Sequence, residues 1–215
     1  MKDYAPIISF EGIDGSGKTT QLRRVSETLD RKGIDNKRFR EPGTADVSEQ
    51  IRAILVDADN NPSDISELLL FQSARAEMFE KKVKPAVYDG TIALLERAGD
   101  STIAYQGFGL FEGIPEKLKR ISQLNQLAYG GVPPDRTYWI DISAEESIRR
   151  LAGDEKDRIE SRGMSFKKRV NQGYRHVHRQ NHERVIQIDG ERPRDEITSE
   201  VQDDVMDYLT SEGYA

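Results

Sequence analysis

A chain of 215 residues, 36% hydrophobic and 33% charged, can bury one sizeable α/β core but is cramped for two full domains. Its formal charge of −6, without a long Lys/Arg run, argues against a nucleic-acid-binding module and leaves room for a local basic pocket that takes small anions. With no cysteine there is no disulfide framework, zinc–thiolate site or thiol nucleophile.

Ile7-Ile8-Ser9-Phe10 reads as a short buried strand. It leads into Gly12-Ile13-Asp14-Gly15-Ser16-Gly17-Lys18-Thr19, which fits the G-x-x-x-x-G-K-[ST] loop that wraps nucleotide phosphates. Glycines let consecutive N–H groups turn inward, Lys18 reaches the β/γ oxygens, and the Thr19 hydroxyl can hold Mg²⁺. A helix over 20–32, with Leu22, Val25 and Leu29 on one face, is stopped by Gly33. Begun near Lys18, it aims the positive end of its dipole at the phosphates. The alternative, a plain glycine turn, does not require this strand–loop–helix setting.

A second strand is expected over 34–40, broken by Arg40-Glu41-Pro42-Gly43. Ser48 is expected to cap a helix carrying Ile51, Ile54 and Leu55. A long helix follows from Ser63 or Asp64 toward Lys84, which Pro85 should end or kink. The stretch 91–95 is a buried strand followed at once by Glu96-Arg97, and Tyr105-Gln106 fall in a loop after two hydroxyl residues. Then come a helix over 115–129, a strand over 136–142, a short helix over 144–151 and a charged, glycine-bounded loop over 153–163. A helix over 166–183, a fifth strand over 184–188 and a final helix over 193–209 with Pro193 at its start complete the chain.

Strands alternating with helices imply an α/β fold with a mostly parallel five-stranded sheet covered on both faces, as one domain over 1–215. In such sheets ligands bind beyond the carboxyl ends of the strands. The glycine loop, the Arg40-Glu41-Pro42-Gly43 break and Glu96-Arg97 each fall there, so one shared site is expected. No uncharged stretch approaches membrane-spanning length, and Met1-Lys2-Asp3-Tyr4 lacks an apolar signal region. No nucleic-acid or membrane partner is expected, and the cytoplasm is the expected location.

In this order the pieces resemble the thymidylate kinases, nucleoside-monophosphate kinases of the P-loop class. The resemblance runs from about residue 7 to 174. It rests on Phe10 to Gln21, Arg40-Glu41-Pro42-Gly43, Leu69-Leu70-Phe71 with Arg75, Ser101-Thr102 with Ala104-Tyr105-Gln106-Gly107, and Asp157-Arg158-Ile159-Glu160. It implies a P-loop NTPase-type sheet with a short mobile lid at about 149–163, and transfer of the γ-phosphate of ATP to dTMP with Mg²⁺ in a homodimer. The implied ATP site is Gly12, Asp14, Gly15, Ser16, Gly17, Lys18, Thr19 and Thr20, with Thr19 and Glu96 toward the metal. On the dTMP side, Phe71 stacks on the base, Arg75 donates to a base carbonyl, and Ser101, Thr102, Tyr105 and Gln106 lie against base and sugar. Asp14 meets the sugar hydroxyl or a metal-bound water, and Arg40 and Arg97 face the acceptor phosphate. From spacing alone, Phe71 and Arg75 read more readily as a core ring beside a solvated cation than as a base site.

The resemblance implies an arginine that bridges the transferring group, supplied in the family by the glycine loop or by the lid; this glycine loop carries none, so the lid is expected to supply it, Arg158 first and Arg150 second. Lys18, Glu96, Arg97 and these two arginines form the expected catalytic set. Two features depart from the family: Glu96-Arg97-Ala98 replaces Asp-Arg-aromatic, and Thr44 stands where a second glycine is usual. A deoxynucleoside kinase is therefore the alternative, and a nucleotide-binding homologue without turnover is the other. A GTPase is excluded because no Asn-Lys-x-Asp follows a strand. His176, His178 and His182 read as a solvated helix face, lacking the H-E-x-x-H pattern of a zinc site.

Overall fold

In the computed structural model five strands form one sheet: β1 (Ile7–Glu11), β2 (Asn36–Arg40), β3 (Ile92–Glu96), β4 (Arg136–Asp141) and β5 (Val185–Asp189). Their order is β2-β3-β1-β4-β5, and every neighbouring pair is parallel. Residues 3–153 and 157–214 are described. The opening Met1-Lys2, residue 215 and residues 154–156 of the expected lid lie outside them.

Side chains alternate between the two faces of a strand, so both faces of this sheet must be covered. Ile8, Phe10, Ile92, Leu94, Tyr138 and Ile140 meet Leu22, Val25 and Leu29 of α1 (Lys18–Arg31), together with Ile197, Val201, Val205 and Leu209 of the last helix. The intervening Ile7, Ala93 and Leu95 pack on Met78, Phe79, Val83 and Val87 across the sheet. The remaining helices are α2 (Asp46–Val56), α3 (Asp64–Met78), α4 (Lys84–Tyr88), α5 (Gly99–Thr102), α6 (Pro115–Tyr129), α7 (Ala144–Arg150), α8 (Met164–Gln180) and α9 (Arg194–Ser211). Among the described residues no helix is long and apolar enough to cross a membrane.

Two local expectations are corrected and one is narrowed. Ser48 does not cap α2: the helix starts at Asp46, and Ser48 is buried with its Oγ accepting the Gly43 N–H at 2.9 Å. Of the two effects expected of Pro85, an end or a kink, the end is not seen: the chain stays helical through Tyr88, with the α-helical ladder interrupted just before the proline. A π-helical segment, Phe79–Val83, carries the chain into α4, and its widened hydrogen-bond ladder, with the Lys84 N–H donating to the Phe79 carbonyl, lies immediately before the proline that cannot donate. Tyr105 and Gln106 are not in a loop; they lie in a second π-helical segment, Ile103–Leu110, continuous with α5.

Candidate active site

The phosphate loop is built where β1 gives way to α1. Gly12 has φ +141°, and a Cβ there would stand 2.5 Å from the Ile140 carbonyl and 2.7 Å from Ser16 Oγ, so only glycine lets the loop pass this close to β4. Gly17, at φ 96°, turns the chain into α1 with no side-chain cap, leaving the first-turn N–H groups to a ligand. Ser16 Oγ is buried and meets no partner among the described residues. Lys18 is buried, and burial together with the like charge of Arg97 lowers its ammonium to about 8 against the opposing pull of Asp14 and Glu96. At the first turn of α1, Thr19 Oγ1 donates to Glu96 Oε1 at 2.6 Å, with Thr20 beside it in the same turn. Thr19 and Glu96 thus present a hydroxyl and a carboxylate oxygen side by side, a donor set that suits Mg²⁺ shared with phosphate.

Arg97 is the hub between this loop and the rest of the cavity. It follows β3 at φ 71°, a left-handed conformation that costs a non-glycine residue on the order of 1–2 kcal/mol. Two bonds hold the turn: the Arg97 N–H donates to the Phe10 carbonyl at 3.1 Å, and the Ala98 N–H to Glu11 Oε1 at 2.7 Å. The guanidinium donates to Asp14 at 2.5 Å, to Tyr105 Oη at 3.1 Å, to Ser101 Oγ at 3.0 Å and to the Gly12 carbonyl at 3.1 Å. Burial alone would raise the Asp14 carboxyl, but Arg97, then Lys18 and Lys167, hold it well below the usual carboxylate range. Burial also keeps the Tyr105 phenol protonated, and it donates to Asp14 Oδ2 at 2.9 Å.

An open cavity of about 260 Å³ extends from Lys18, Thr19, Glu96 and Arg97 to Arg40, Phe71, Arg75, Ser101, Thr102, Tyr105 and Gln106. Asp14, Gly15, Lys18 and Thr19 of the predicted donor site and every predicted acceptor residue therefore line one continuous space at the carboxyl end of the sheet, whereas Gly12, Ser16, Gly17, Thr20, Arg150 and Arg158 do not border it. Arg40 is bound to Glu49 by bonds of 2.9 and 3.1 Å. Arg75 departs from expectation. It is 1% exposed, donates to both oxygens of Glu41, and bonds Gln72, Asn125 and Thr102. Burial would lower its guanidinium, but the Glu41 carboxylate outweighs that and raises it. Each of its five N–H groups already has an acceptor in the wall, so donation to a base carbonyl would require it to share or exchange one of these partners. Arg75 fixes the wall: removing one partner of such a buried pair costs ~3–5 kcal/mol.

The model of the thymidylate kinase family matches residues 10–201. The chain belongs to that family. It is 41% identical over 202 residues to a thymidylate kinase of Thermoanaerobacter sp. (strain X514), covering 94% of this chain and 98% of the relative. A thymidylate kinase of Chlorobaculum parvum is 38% identical over 193 residues, covering 85% of this chain and 87% of the relative. The crystal structure of thymidylate kinase from Ehrlichia chaffeensis superposes with a TM-score of 0.72 at 33% identity, covering 96% of this chain and 98% of that one.

Membership in the thymidylate kinase family fits the placement of the glycine loop, Arg97, Phe71 and the Tyr105 segment. The two lid arginines are placed differently from each other, and the first choice is the one turned away. Arg158 is drawn away from the cavity: Nε donates to the Leu55 carbonyl at 2.9 Å, and Nη2 lies 2.8 Å from Glu67 Oε2. Arg150 stands over the glycine loop, donating to the Gly15 carbonyl at 3.3 Å and the Gly190 carbonyl at 2.9 Å. Several functional neighbours escaped the sequence. Arg52 and the acids Asp157 and Glu160 line the cavity, and Glu11, Glu41 and Glu67 are buried carboxylates that hold its arginines and amides. Glu11, Glu41, Asp157 and Glu160 stand inside motifs quoted above but had no role of their own assigned, and Arg52 and Glu67 left no signal.

Proposed function

We propose that this chain transfers the γ-phosphate of ATP to dTMP, giving dTDP, in the cytoplasm and with Mg²⁺ held at Thr19 and Glu96. The observation that carries the proposal is the single cavity joining the phosphate loop to Phe71, Tyr105, Gln106 and Arg97. Phosphoryl transfer needs two anions held in line and their developing charge neutralised, with no covalent intermediate on the protein. The glycine-loop N–H groups and Lys18 take the donor phosphates, whose negative charge holds the buried Lys18 ammonium in its charged form. Arg97, kept charged beside Asp14, orients the acceptor phosphate so that its oxygen attacks the γ-phosphorus as the bond to ADP breaks. When bound, Mg²⁺ neutralises charge on the β and γ oxygens. Phe71 offers its ring to the base, and Tyr105, fixed between Asp14 and Arg97, crowds the position of a ribose hydroxyl.

A coupled assay with ATP and Mg²⁺ tests this directly. ADP should form with dTMP, fail to form with thymidine, and vanish when the metal is chelated. Turnover of thymidine with dTMP inert would make the chain a deoxynucleoside kinase instead.

The same proposal takes the enzyme as a homodimer. Helices α2, α3 and α6 pack side by side and leave Ile54, Ile65, Leu69 and Leu127 exposed on their outer face, the last at 78%. A second copy covering that face would remove this apolar surface from water. Sedimentation equilibrium should give twice the monomer mass; a mass of 24.4 kDa at micromolar concentration would exclude the pairing.

A further inference from the structure

Glu67 lies outside the catalytic set, yet it is 1% exposed and touches the acceptor pocket through one neighbour. It sits in the first turn of α3. Its Oε2 receives Arg162 Nη2 at 2.5 Å and lies 2.8 Å from Arg158 Nη2. Its Oε1 receives Arg162 Nη1 at 3.1 Å and the Gln106 amide Nε2 at 3.0 Å. Burial would raise the carboxyl, but these donors, Arg162 foremost, hold it below its ordinary value.

An ionised carboxylate only accepts hydrogen bonds, whereas a side-chain amide has a donating end and an accepting end. Beside Glu67 the Gln106 amide therefore has a single permitted orientation, with Nε2 turned to the carboxylate. Its Oε1 receives no hydrogen bond among the described residues, while Gln106 itself lines the cavity with Phe71. A pyrimidine stacked on Phe71 thus meets an acceptor at Gln106. Thymine and uracil carry an N–H at ring position 3 that can donate to it; cytosine carries a lone pair there.

We propose that Glu67 is a specificity-determining positioning residue: by dictating the orientation of the Gln106 amide, it makes the pocket select bases with a ring N–H over cytosine-type bases. Arg158 and Arg162 contribute by keeping Glu67 charged. The inference rests on the thymidylate kinase reading and adds to it a residue that touches neither substrate.

Glu67→Gln inverts the logic. The new amide turns its oxygen to the Arg158 and Arg162 guanidinium groups and its NH₂ to Gln106, which must flip and present its own NH₂ to the base. The ratio of kcat/KM for dTMP over that for dCMP should fall at least ~tenfold, with dTMP losing through KM and dCMP gaining in absolute terms. Glu67→Asp, still an acceptor-only carboxylate, should hold the ratio within ~threefold of wild type even if both activities drop. A merely structural role would lower both activities in parallel. Parallel loss in Glu67→Gln, or an equal fall of the ratio in Glu67→Asp, would overturn the role of Glu67 and leave the thymidylate kinase reading intact. A wild-type enzyme inactive on dTMP would overturn both.

Discussion

Arg97→Ala should lower kcat/KM for dTMP by ~10²–10³, the size of effect expected when a preorganised donor to a reacting oxyanion is removed. The side chain is 15% exposed, faces the cavity, and is steered by acceptors on four elements: Asp14 and Gly12 in the glycine loop, Ser101 in α5, Tyr105 in the π-helical segment and Tyr174 in α8. Such a frame leaves little for Arg97→Lys to recover, since an ammonium cannot reproduce the planar fork. Arg97→Gly separates fold from function. At φ 71° glycine relieves backbone strain, so Arg97→Gly should melt higher than Arg97→Ala while being equally inactive. Steady-state kinetics with dTMP varied, beside thermal melts of the three variants, supply the check. Activity of Arg97→Ala within tenfold of wild type would remove Arg97 from the acceptor phosphate.

Why Arg97 and the glycine loop were legible in the sequence, and Glu67 was not, has a physical basis. The loop's chemistry is local: glycines, a lysine and a hydroxyl within eight residues must adopt one backbone shape to meet a phosphate, so the spacing itself carries the meaning. Strand ends are legible too, because apolar runs stop where the sheet stops, and this places Arg40, Glu96 and Arg97 on one rim. Arg75 shows the limit. Its spacing from Phe71 is visible, but whether its N–H groups face a base or a protein carboxylate depends on Glu41, 34 positions away, and Asn125, 50 positions away. Glu67 and Arg162 are 95 positions apart. Helix boundaries failed for a related reason. Ser48 has the chemistry of a cap, but the Gly43 N–H claimed its hydroxyl for a bond that closes the Arg40-Glu41-Pro42-Gly43 turn onto α2.

Arg150→Ala should lower kcat at least ~100-fold with little change in KM for dTMP, whereas Arg158→Ala should cost less than ~tenfold. An arginine that bridges the transferring phosphoryl group is worth ~10³–10⁵ in kcat in related phosphoryl transfer. The glycine loop offers only Ile13, Asp14, Gly15 and Ser16 between Gly12 and Gly17, so it has none to give. Arg150 is anchored at the right place. Its Nε donates to Glu146 at 2.6 Å within α7, and α7 is itself pinned to the loop by Ser147 Oγ donating to the Asp14 carbonyl at 2.7 Å. The side chain is 29% exposed and bonds the Gly15 carbonyl, so a phosphate seated in the loop needs only a rotamer change to engage it. Arg158 is committed elsewhere. Its backbone N–H donates to the Val56 carbonyl at 3.2 Å, its Nε to the Leu55 carbonyl, and its other end pairs with Glu67, fastening this part of the lid segment to α2 and α3. Losing that anchor acts on the lid's position, a weaker lever than removing charge from the transferring group. Single-turnover rates separate chemistry from product release and decide between the two arginines. A larger loss in Arg158→Ala than in Arg150→Ala would mean that the lid swings Arg158 off Glu67 and into the cavity during turnover.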